Sequence, residues 1–162
     1  MELKDKMMDL GLTERELQFN KEYYIEYFTF NRKIAIDALC YLIDNSKEII
    51  KIYHKVISLN EENLKSNKVI KALRNNTETN IEYYTKVNST EEEKIKTNIG
   101  KHVKVKKVEI GSKNYHHKEM EIDNKYLIIT SLNFLTNNLI DDINHRNFWL
   151  ENFSIWVKRS VK

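Results

Sequence analysis

The chain has 162 residues, 41% hydrophobic and 31% charged, with 27 basic and 24 acidic side chains, a formal net charge of +3 and a pI near 8.8. That is the profile of one soluble globular domain large enough to bury a core, and no apolar run approaches the length needed to cross a bilayer. A single cysteine, Cys40, excludes an internal disulfide and a cysteine-rich metal cluster, while the mild basicity permits a polyanionic partner without requiring one.

Taken in order, Met1–Lys6 mixes charges and leads into no apolar segment, so no secretory signal is expected and the expected location is cytoplasmic. Residues 1–20 read as a polar helix interrupted by Gly11. Tyr23–Phe30, dense in aromatics, reads as a strand, and Asn31 stands where it can cap a helix. From Arg32 to Asn45 the sets Ile34, Ala38, Leu42 and Ala35, Leu39, Ile43 recur every four residues, a wide apolar helical stripe. Cys40 lies inside it and reads as core.

Ile49–Ser58 is rich in β-branched residues and predicts a strand, after which Ser58 with Glu61 resembles a capping box for a helix reaching Arg74. A strand at Ile81–Val87 and a helix opening at Ser89-Thr90 and closing at Gly100 come next. In His102–Ile110 the apolar positions shift register, which predicts a bulge or bend near Lys106-Lys107. Leu150–Val157 reads as the last strand. Helices alternating with strands, then a run of strands, indicate an α/β sheet covered by helices. Nothing marks a linker, repeat or second domain.

Between these elements lies the most informative stretch, His116 to Asn133. Alternation along a strand puts His116 and Lys118 on one face, and Ser131 and Asn133 on one face of the next, with Asp123-Asn124 as the turn between. A hairpin of these strands gathers an imidazole, an ammonium, a hydroxyl and a carboxamide into a patch suited to a phosphate. A lone His-x-Lys is as compatible with a solvated surface; the joint spacing is what argues for a site. His117 reads as a solvated neighbour, and Trp149 and Trp156 as core or interface.

His-x-Lys, then four residues and Asp, then Ser-x-Asn resembles the signature of the phospholipase D superfamily, and the order of helices and strands from 23 to 159 is similar to its small bacterial endonucleases with one copy of the motif. The resemblance implies a phospholipase D-like mixed sheet flanked by helices, with residues 1–22 as an N-terminal helical extension and 23–162 as the catalytic domain. It implies His116 as the covalent nucleophile, Glu151 as the acceptor that orients it, Lys118 and Asn133 on the non-bridging oxygens, Ser131 within the site and Asp123 as a structural member. It implies no metal and no cofactor.

The leaving oxygen needs a proton, and the superfamily takes it from a second histidine in a second motif. This chain has one copy, so a homodimer with His116 of both subunits at a shared site is expected. Nucleic acid, DNA ahead of RNA, is the expected partner, with Lys104, Lys106, Lys107 and Arg146 as candidate contacts; no amphipathic stretch favours a membrane or a phospholipid substrate. The alternative is a dimeric nucleic-acid or partner-binding module with weakened catalysis. Its motive is Thr130, which stands where the family usually has glycine and predicts a constrained backbone beside Ser131. Glu119 and Glu121 lie where the family strand is usually apolar, leaving their sheet face either exposed or covered by N-terminal residues.

Overall fold

Gly11 closes the first helix, α1 (Leu3–Leu10), with a left-handed φ of +100°, and the amides of Gly11 and Leu12 turn back to the carbonyls of Met8 and Met7. The computed structural model describes residues 2–54, 67–85, 89–107, 118–135 and 151–159. After Gly11 the chain does not remain helical as the 1–22 reading expected. Thr13–Phe19 forms β1 and pairs antiparallel with β2 (Glu22–Thr29) across Asn20-Lys21, both at positive φ. The helix-forming residues of Thr-Glu-Arg-Glu-Leu-Gln-Phe are overridden by the hairpin, because β1 gains a full ladder from β2.

α2 (Arg32–Asp44) opens as expected at Asn31, whose side chain accepts from the Ile34 amide at 3.1 Å. It is followed by β3 (Ile49–His54), α3 (Lys68–Asn75), β4 (Asn80–Thr85), α4 (Ser89–Asn98), β5 (Val103–Lys107), β6 (Lys118–Ile122), β7 (Tyr126–Thr130) and β8 (Phe153–Arg159). The cap proposed at Ser58 lies outside the described residues; the described cap of α3 is Asn67, accepting from Ile70 N at 2.9 Å. Pairing of β5 with β4 runs unbroken from Ile81↔Val103 to Thr85↔Lys107, and the Val108 side of the expected bulge or bend lies outside the described residues.

The eight described strands form one mixed sheet in the order β1-β2-β8-β7-β6-β3-β4-β5, with β3, β4 and β5 parallel and the other pairings antiparallel. Alternation sends Ile50, Ile52, Ile81, Tyr83, Met120, Ile122, Ile128, Phe153 and Ile155 to one face, where they join Met7 of α1, the apolar stripe of α2, Val69 and Leu73 of α3 and Ile95 of α4 in a single buried cluster. Cys40 is half-buried at the border of that cluster. Because Met7 places α1 on this side, the N-terminal helix does not cover Glu119 and Glu121; these stay half-exposed on the other face, Glu121 lying 3.9 Å from Lys51 across the β3–β6 pair. None of the described helices is long and apolar enough to cross a membrane.

Candidate active site

The strand directions bring one end of β6, β7 and β8 together. Lys118 begins β6 opposite His54, the last residue of β3; Thr130 ends β7 opposite Phe153, the first residue of β8. Three neighbouring strands therefore deliver Lys118, Ser131 and Glu151 to a single edge of the sheet. Past the strand end, Leu132, Phe134 and Leu135 are buried while Ser131 and Asn133 are exposed. Burial of the apolar members thus turns the two polar ones outward, though Ser131 and Asn133 lie beyond β7 and not within it. The Phe134 ring meets His54 edge-on with centroids 4.6 Å apart, and its carbonyl accepts from Asn67 Nδ2 at 3.0 Å.

Ser131 and Glu151 are directly joined. Ser131 Oγ donates to Glu151 Oε2 at 2.6 Å and accepts from the Asn152 amide at 2.9 Å, and the Ser131 amide donates to the Asn152 carbonyl at 2.9 Å. A hydroxyl has one proton, and here it is committed to the carboxylate. Ser131 therefore serves to hold Glu151, and its proton is not offered to a phosphate in this arrangement. The Glu151 amide donates to the Phe30 carbonyl at 3.2 Å, which ties the residue to the entrance of α2.

Thr130 is bonded into this edge. Its Oγ1 donates to the Asn152 carbonyl at 2.7 Å and accepts from the Leu132 amide at 2.9 Å. The backbone constraint expected at a β-branched residue is answered by two hydrogen bonds that glycine could not make.

Asp123 stands at the other end of the motif hairpin. It lies five positions beyond Lys118 along an extended strand, which is about 17 Å. Asp123 and Asn124 have φ of 53° and 54°, the left-handed turn these residue types tolerate. The Asp123 carboxylate accepts from Ser46 Oγ (2.8 Å) and from the amides of Lys47 (3.0 Å), Glu48 (2.8 Å) and Ile49 (3.0 Å), while its own amide donates to Ile49 O at 2.7 Å. Burial pushes its pKa up, but the amides of Lys47 and Glu48, the Ser46 hydroxyl and the Ile49 amide together outweigh this and hold it below 3.8. The aspartate of the motif pins the hairpin to the α2–β3 connection and is remote from the edge with Lys118.

His116 and Arg146 lie outside the described residues. Of the candidate nucleic-acid contacts, Lys104 and Lys106 project from the sheet face carrying Tyr84, and Lys107 ends β5 at the site edge. Lys106 is occupied: its Nζ is 2.6 Å from Glu82 and 5.6 Å from the Tyr84 ring centroid. The hydrogen bond with Glu82 raises the Lys106 pKa and lowers that of Glu82. Tyr84 in turn stacks on Tyr53 with centroids 4.8 Å apart.

Sequence reading missed His54 as a neighbour of the site and the Thr130 hydroxyl as a tie. The available signal for the first was the position of His54 at the end of an apolar alternation, Ile50, Ile52, His54. Antiparallel pairing with β6 was needed to bring it opposite Lys118.

No protein-family model matches the sequence, and no curated protein matches it. Among solved structures, the chain is similar to NucT from Helicobacter pylori, with a TM-score of 0.54 and 13% identity over 83% of this chain and 86% of that one. It is also similar to Nuc from Salmonella typhimurium, a phospholipase D family member, with a TM-score of 0.52 and 12% identity over 83% and 82% of the two chains. A mixed sheet that carries the lysine, the serine–glutamate pair and the asparagine at one edge, with the aspartate pinned at the other, is thus a phospholipase D-like fold.

Proposed function

We propose that the protein is a metal-independent phosphodiesterase, a nuclease cleaving DNA or RNA, with DNA the favoured substrate. The carrying observation is the Ser131–Glu151 hydrogen bond at the edge where Lys118 enters β6, two residues after His116. A carboxylate already oriented by a serine is suited to accept from one imidazole nitrogen, leaving the other as a nucleophile. Neutral His116 would attack phosphorus, forming a P–N bond as the P–O bond to the leaving oxygen breaks. Lys118 and Asn133 would offset the charge on the non-bridging oxygens. Water would then add to phosphorus, giving its proton to the group that protonated the leaving oxygen, as the P–N bond breaks and His116 is returned.

Departure of the first oxygen requires a proton, and His116 of a second subunit is the proposed donor, in a homodimer sharing one site. The test is phosphodiester cleavage in the presence of chelator by wild type and by His116→Ala, beside solution mass. We expect chelator-resistant activity from a dimer and none from the variant. Full activity in His116→Ala, or cleavage by a strict monomer, would refute the respective half of the proposal.

A further inference from the structure

We propose that Thr130 is a positioning residue for the Ser131–Glu151 pair, an inference that rests on the reading of that pair as part of the active site. The β7–β8 ladder ends at Thr130↔Phe153, one residue short of Ser131 and two short of Glu151. Beyond it, the one main-chain bond between the two strands that is described is Ser131 N to Asn152 O, and side chains add to it. The Thr130 hydroxyl occupies that place: it donates to Asn152 O at 2.7 Å and accepts from Leu132 N at 2.9 Å.

Asn152 is the hinge of the arrangement. Its carbonyl accepts from both Thr130 Oγ1 and Ser131 N, and its amide donates to the same Ser131 Oγ that donates to Glu151 Oε2. Fixing the Asn152 carbonyl orients the Asn152 backbone, and the amide of that residue, in the peptide joining it to Glu151, holds the serine oxygen. The bond from Leu132 N, within a fully buried residue, sets the direction in which the chain leaves β7 and so the outward turn of Ser131 and Asn133. Thr130 is itself 8% exposed, so water is poorly placed to take over from a deleted hydroxyl, and both the Asn152 carbonyl and the Leu132 amide would lose a partner. The hydroxyl touches no substrate atom in this scheme; it acts through Ser131 and Glu151.

A hydroxyl that only stabilised the strand end would lower the melting temperature without selectively changing turnover. The experiment uses the full chain with bis(p-nitrophenyl) phosphate as probe, and compares Thr130→Val, which keeps the shape, with Thr130→Ser, which keeps the hydroxyl. At a temperature where circular dichroism shows each variant folded, Thr130→Val is expected to lower kcat about tenfold with KM within about twofold, and Thr130→Ser to stay within about twofold of wild type. Thr130→Ala supplies the hydroxyl deletion should the valine variant not fold. Wild-type kcat in the folded hydroxyl-deleted variant, or equal impairment of Thr130→Ser, overturns the inference. Glu151→Gln separates the two levels: an inactive Glu151→Gln beside an unimpaired Thr130→Val sinks the role of Thr130 alone, whereas a fully active Glu151→Gln removes the site reading and the inference with it.

Discussion

The two ends of the β6–β7 hairpin are built from one short motif and treat their polar groups in opposite ways. At the turn, Asp123 is 9% exposed and its carboxylate accepts from a hydroxyl and three amides. At the open end, Ser131 and Asn133 are exposed, and Glu151 is half-buried with one oxygen bonded to Ser131. A carboxylate saturated by four donors is held in place and has little left to offer a ligand. The polar groups of the open end face solvent instead. The same motif therefore supplies an anchor and an exposed polar edge, separated by the length of a strand.

Removing a member of each end should give opposite phenotypes. On the reading proposed above, Lys118→Met is expected to lower phosphodiesterase kcat about 1,000-fold while the urea denaturation midpoint moves little, since the charge lost acts on the phosphoryl transition state. Comparable activity in wild type and Lys118→Met would erase the distinction between the ends. Asp123→Ala should do the reverse, costing about 3 kcal/mol of stability by stranding the amides of residues 47–49, with turnover per folded molecule preserved. Urea denaturation with parallel kinetics checks both halves.

Acid provides a finer version of the same comparison. The folded-state pKa of Asp123 lies below its ordinary 3.8, so its contribution to stability is complete above the unfolded value and is lost as pH falls through the folded one. Denaturation midpoints measured between about pH 5 and pH 3 should therefore fall more steeply in wild type than in Asp123→Asn. Equal slopes would show that another carboxylate governs acid unfolding. The smallest effects concern the lysines: in a Lys118→Met background, Lys107→Met should weaken DNA binding a few-fold and reduce the salt slope by about 1. Lys106→Met should change affinity by less than about twofold, because its ammonium is engaged by Glu82. Fluorescence anisotropy at two salt concentrations distinguishes them.

Much of the fold was legible in local chemistry. The four-residue apolar repeat of α2, the Asn31 cap and the aromatic strand β2 follow from periodicity and capping rules. The N-terminal hairpin was not legible, since Thr13–Phe19 uses residues at home in a helix and becomes a strand through its partner. Of the bulge or bend expected near Lys106-Lys107, the described part is straight pairing as far as Lys107, and Val108 and Ile110, where the shifted register begins, lie outside the described residues.

By itself the sequence determined which side chains could take part and their spacing on alternating faces, because a strand has a period of two whatever its neighbours are. Which groups meet was decided only by the tertiary structure. Strand order put β8 beside β7, so that Glu151, 20 residues from Ser131, accepts its proton, while Asp123 reached back 77 residues to Ser46. Hydrogen bonds between elements so distant along the chain depend on which strands lie side by side, and no local pattern encodes that. The Thr130 hydroxyl shows the same limit: in sequence it is a β-branched residue beside a candidate serine, and in the fold it is the tie to Asn152.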